Sequence, residues 1–67
     1  MRLQNGSDIR AERNRRDMNQ DELASLLEIS IHALIDIERG APLLTPELRR
    51  KAREVFREHD NAAGAAA

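Results

Sequence analysis

The stretch Gln20-Asp-Glu-Leu-Ala-Ser-Leu-Leu-Glu-Ile-Ser-Ile-His-Ala-Leu-Ile-Asp-Ile-Glu-Arg-Gly40 decides the fold. It reads as two short helices, each with a start signal in register with its apolar spacing. Asn19 is a good N-cap for the first, and Glu22 three residues later can close a capping box. Met18 before the cap and Leu23 after it are placed for a hydrophobic staple. Asp21 and Glu22 lie in the first turn, where the helix dipole favours acids. The apolar set Leu23, Ala24, Leu26 and Leu27 ends this helix near Leu27. Ser30 caps the second helix, with Ile29 and Leu34 as a second staple. Leu34 and Ile37 face one way, and Gly40 is a natural stop because it tolerates the left-handed conformation. Ala41-Pro42 continues the break. Between the helices lies a tight turn, Glu28-Ile29. Two helices cross steeply only where a small side chain lets them approach, and Ala24 is that residue. Leu23, Leu27, Ile29, Leu34 and Ile37 would fill the angle, which is the logic of a helix-turn-helix.

Outward from this pair, two more helices are expected. One runs from about Ser7 to Arg16, capped by Asn5 or Ser7, with Ile9 as its apolar anchor and Arg13 on the same face. The other begins with Thr45 as cap and Pro46 at the first position, where a missing N–H costs nothing. Its stripe is Leu48, Ala52, Val55 and Phe56. Strand signals are missing: Val occurs once, and no alternating run is flanked by hairpin turns. The expectation is an all-α fold, a compact four-helix orthogonal bundle over residues 1–60. Leu23, Leu27, Leu34, Ile37, Leu48, Ala52 and Phe56 share its core. Residues 61–67, Asn-Ala-Ala-Gly-Ala-Ala-Ala, form a flexible Ala-rich tail.

Composition narrows the function. At 67 residues the chain is one domain with a small core. It has no cysteine, so neither a disulfide framework nor a thiolate metal site supports that core. A single Phe and no Tyr or Trp leave no base-stacking platform for single strands. No apolar run is long enough to span a membrane, and the first residues show no secretory signal, so a cytoplasmic location is expected. The net charge of -1 hides a pattern. Residues 1–16 carry five Arg against Asp8 and Glu12, and residues 17–38 carry six acids and no Lys or Arg. Residues 39–60 carry six basic residues against four acids. A basic rim thus surrounds an acidic middle.

The chain resembles the Cro/repressor-type helix-turn-helix family of phage and bacterial transcriptional regulators. The residues that carry the resemblance are Met18-Asn19-Gln20, Glu22-Leu23-Ala24, Leu27, Ile29-Ser30, Leu34 and Ile37-Glu38-Arg39-Gly40. Leu44-Thr45-Pro46-Glu47-Leu48 is similar to the start of the family's next helix, and the match spans roughly residues 7–57. The resemblance implies that the third helix enters the major groove of double-stranded DNA. It implies that Asn19 and Gln20 hold a phosphate, and that Ser30, Ile31, His32 and Asp36 read bases. It also implies a salt bridge between Arg13 and Glu38 that ties the first helix to the third. The chain departs from the family in three respects. Glu28 stands where Gly is usual, the reading helix has no Lys or Arg before Arg39, and no sequence remains for the family's fifth helix.

The first functional reading is therefore a sequence-specific, repressor-like DNA-binding regulator, dimeric because one small module makes few contacts. Arg10, Arg15, Arg16, Arg39, Arg49, Arg50, Lys51 and Arg53 join Asn19 and Gln20 as phosphate contacts. The alternative is a helix-turn-helix-derived module that binds a protein partner through Ile31 and Ile35, with weak or no DNA binding. No catalytic constellation is recognisable, so the chain is read as not an enzyme. His32 and His59 have no second ligand at helical spacing, so no metal is expected, and no cofactor either. His59 is placed near the last turn of the final helix, where it favours the dipole.

Overall fold

The computed structural model describes the backbone of residues 1–66 and the side chains of residues 1–64. Four helices follow one another: α1 (Gly6–Arg15), α2 (Gln20–Leu27), α3 (Ile31–Glu38) and α4 (Pro46–Ala66). There is no strand among the described residues. Each helix starts on a side chain that accepts an otherwise orphaned N–H. Asn5 accepts from Asp8 N–H, Asn19 from Glu22 N–H, Ser30 from Ala33 N–H and Thr45 from Leu48 N–H. The helix before the first turn thus begins at Gly6, on the Asn5 cap. The return bond from Glu22 to the Asn19 N–H, which would complete a capping box, is not formed among the described residues.

The three short helices end by one device. In each, a left-handed residue lets two successive N–H groups fold back onto the last carbonyls. Asp17 (φ 54) bonds Asn14 O while Met18 N–H reaches Arg13 O. Glu28 (φ 59) bonds Ser25 O while Ile29 N–H reaches Ala24 O. Gly40 (φ 104) bonds Ile37 O while Ala41 N–H reaches Asp36 O. Only the last uses the glycine that such a cap prefers. Glu28 therefore makes the turn that glycine would make, rather than a different one.

The core gathers residues from every helix. Leu3, Ile9, Met18, Leu23, Ala24, Leu27, Leu34, Ala52 and Phe56 form one buried cluster, with Ile29, Ile31, Leu44, Leu48 and Val55 packed at its edge. Ile37 is also buried. α3 packs on α1 and α2, and α4 packs on α2 and α1. The α1–α3 approach is so close that a Cβ on Gly6 would sit 1.7 Å from Ile37 O. Leu3 is buried at 2% exposure, which folds the N-terminal arm back against the bundle.

One boundary differs from expectation. Residues 61–66, expected as a tail, lie in α4, which extends to Ala66. Alanine is the strongest helix former and α4 is already nucleated, so each added residue gains a hydrogen bond at little entropic cost. His59 accordingly sits inside the helix rather than at its last turn. Ala67, the last residue of the expected tail, lies outside the described residues.

Candidate functional site

The packing leaves the outer face of α3 open. Leu34 and Ile37 turn inward, so His32, Asp36 and Arg39 fall on one exposed stripe at helical spacing. Ser30 stands exposed at the head of the helix, its hydroxyl oxygen accepting Ala33 N–H at 3.1 Å. Asp36 makes no ion pair among the described residues. Ile31 is placed differently from the rest. It is half-buried against the core cluster, so it is a packing residue more than a free contact. A β-branched side chain in the first turn, three residues before Leu34, shares that helix's inner face. Ile35 is half-buried at the border of the stripe.

Beside this stripe lies an open groove of about 550 Å³ between α1, the start of α2 and the end of α3. Arg10, Asn19, Gln20, Ile35 and Arg39 line it above a floor made by Arg13 and Glu38. The floor is a closed network. Arg13 Nε donates to Glu38 Oε2 at 2.8 Å and Nη2 to Oε1 at 3.1 Å. Its Nη1 donates to Met18 O at 2.8 Å, and Gln20 Nε2 donates to Glu38 Oε1 at 3.0 Å. The two charges are thereby cancelled, and among the described residues no buried side-chain nitrogen or oxygen is left without a partner, as a buried pair requires. The net charge of the groove comes from Arg10 and Arg39, both exposed and in no ion pair among the described residues.

The ten residues expected to meet phosphate are thus dispersed. Arg10, Arg39, Asn19 and Gln20 share the α3 groove. Within it, Gln20's amide nitrogen is engaged by Glu38 and Asn19's oxygen by the α2 cap, so only part of each remains for a ligand. Arg15 is exposed, 3.4 Å from Glu12. Arg16 is occupied: it donates to both Asp60 oxygens at 2.7 and 2.8 Å and to Glu12 O and Oε1, and it lies 4.6 Å over the Phe56 ring. Its hydrogen bonds to Asp60 raise its pKa further, and in return Arg16 holds the Asp60 carboxyl below its usual range. Lys51 is tied to Glu28, bracing α4 against the α2 turn and lowering the pKa of that carboxyl. Arg50 is exposed on α4. Arg49 and Arg53 line a second groove with Arg2, a residue whose participation no local pattern signals.

Among the described residues no cluster of three or more His, Cys, Asp or Glu side chains is arranged to hold a metal ion, and no helix is long and apolar enough to cross a membrane. Compared with protein-family models, with curated protein sequences and with solved structures, the chain finds no match.

Proposed function

We propose that the chain is a DNA-binding domain of the Cro/repressor type, in which α2 and α3 form the helix-turn-helix of an orthogonal bundle and α3 lies in the major groove. The observation that carries this reading is the placement of two guanidiniums, Arg10 and Arg39, that enter no ion pair among the described residues, around a groove beside the exposed stripe of α3. Phosphate contacts of this kind fix orientation, and the side chains on the helix face then read base edges. His32 can donate to or accept from a base edge, and Asp36 can accept from a cytosine amino group. The function is binding rather than catalysis, and two copies on a two-fold related site would supply the contact area that one module lacks.

Selection from a random duplex library, followed by a salt titration, tests it. Log K should fall by about 0.9 for each phosphate neutralised. Arg10→Gln and Arg39→Gln should weaken all sequences alike and flatten that slope. Asp36→Asn removes a charge facing phosphate, so overall affinity should rise while the preferred base changes, with discrimination altered by about 1–3 kcal/mol. Absence of binding to any duplex at low salt refutes the reading. The second reading, a protein-binding module, is favoured by one observation: the α3 face offers Ile35 and Asp36, the latter in no ion pair among the described residues, but no cation before Arg39. Loss of a partner on Ile35→Ser without any duplex affinity is its signature.

A further inference from the structure

The second groove has a composition that the bundle does not explain. Burial of Leu3 lays the N-terminal arm along the first half of α4 and brings Arg2 beside Arg49 and Arg53. The space enclosed is about 340 Å³. Among the described residues no carboxylate lines it. Arg2 Nη2 donates to Gln4 Oε1 at 3.0 Å, and Arg49 Nη1 lies 3.4 Å from Gln4 O, so two of the guanidiniums have only neutral partners. Arg53 has none among the described residues. Asp8, the acid at the base of the arm, is engaged by Gln4 N–H at 2.8 Å. Arg49 and Arg53 are also four residues apart on one helix face, where like charges repel. A fold that gathers three arginines and directs the adjacent acid elsewhere places uncompensated positive charge in a concave site.

We propose that this arm–α4 groove is a phosphate-binding site in which Arg2, Arg49 and Arg53 together hold one phosphate group. Guanidinium suits the task because its planar fork meets two phosphate oxygens at once and stays charged at any accessible pH. Gln4 positions the site: its side chain and backbone carbonyl orient two of the three arginines before any ligand arrives. The shared chemistry is a phosphate oxyanion, whether the backbone diester of a nucleic acid or the free phosphate of a small molecule. The site shares no residue with the α3 groove, so it stands or falls independently of the α3 reading.

The test is a titration of the whole chain with inorganic pyrophosphate in chloride buffer, read on the arginine Nε–Hε NMR signals. The Arg2, Arg49 and Arg53 signals should move together and saturate, while those of Arg50 and Arg57, exposed on the same helix, stay near their starting positions. Arg2→Gln and Arg53→Gln should each weaken binding about tenfold, as expected for a lost charge-assisted contact. Arg57→Gln should leave it unchanged, and a preserved far-ultraviolet spectrum shows that the variants are folded. A short duplex then separates the sources. If it competes with pyrophosphate at the three signals, the site takes the nucleic-acid backbone; if it moves only Arg10 and Arg39, the site takes a free phosphate. Failure of the three signals to saturate, or equal movement at Arg50 and Arg57, overturns the proposal even if duplex binds through α3. Saturation without any duplex binding upholds it while refuting the α3 reading.

Discussion

Replacing Glu38 should be among the most damaging single changes in this chain, and replacing Arg13 with it should repair much of the loss. The side chains are 10% and 3% exposed, with two hydrogen bonds between them. Glu38→Leu strands a buried guanidinium, and breaking a buried pair in this way costs about 3–5 kcal/mol. A domain of this length has total stability of only about 3–10 kcal/mol, so the variant should lose a third or more of it and, at the lower end of that range, be largely unfolded. Arg13→Met strands the carboxylate and should cost a similar amount. The double variant Arg13→Met/Glu38→Leu leaves no lone charge. What it does lose is the donor to Met18 O and the acceptor for Gln20, and a buried unsatisfied group costs about 1–3 kcal/mol. Gln20 is half-buried and can turn to water, which points to the lower part of that range. The coupling energy should therefore exceed about 2 kcal/mol. Urea unfolding of all four proteins, followed by circular dichroism in a common concentration of a stabilising osmolyte, measures it. Costs that add to within about 0.5 kcal/mol would show that the pair is not acting as a unit.

Three further outcomes follow from the packing and the charges. Gly6→Ala gains helix propensity but drives a methyl to 1.7 Å from Ile37 O. The Ile37 atom is backbone and the new Cβ is fixed to the Gly6 backbone, so neither can turn aside; a net loss at or above the usual 1–3 kcal/mol or so for overpacking is expected, and an unchanged melting temperature would contradict it. Glu28→Gly relieves a left-handed side chain and gives up an exposed ion pair with Lys51. The melting temperature should hold level or rise, and a fall of many degrees would show that the Lys51 tie matters more than a surface pair should. Asp60 is held below the usual aspartate range by Arg16. Its contribution is therefore complete above the unfolded-state pKa, about 4, and is lost as pH falls through the lower folded value. Acid unfolding of Asp60→Asn should lack that part of the pH dependence, and superimposable acid curves for the two proteins would contradict the tie.

The parts of this architecture legible in the sequence are those written locally. Asn19, Ser30 and Thr45 announce helix starts because a cap bonds an N–H only three residues away. The core positions Leu23, Leu34 and Phe56 follow from apolar spacing alone. What local pattern hides is long-range. Arg16 finds Asp60 across 44 residues, Lys51 finds Glu28 across 23, and Arg49 approaches Gln4 across 45. Each takes a charge that looks free in the sequence and gives it a fixed neighbour. Asp17 and Glu28 are hidden for another reason, since the left-handed caps they form are strongly signalled only by glycine. Gly6 looks like a poor start for a helix until its approach to Ile37 explains it.

That approach, together with the Arg13–Glu38 network, grips α3 by one side. The side chains that anchor the helix are Ile31, Leu34, Ile37 and Glu38, while those of His32, Asp36 and Arg39 are exposed and enter no ion pair among the described residues. The helix behaves like a tool held in a chuck: the shank is fixed and the working edge is exchangeable. Positions 32, 36 and 39 can therefore be randomised together at little cost in stability, so that new recognition can be sought on this scaffold without first rescuing the protein that carries it.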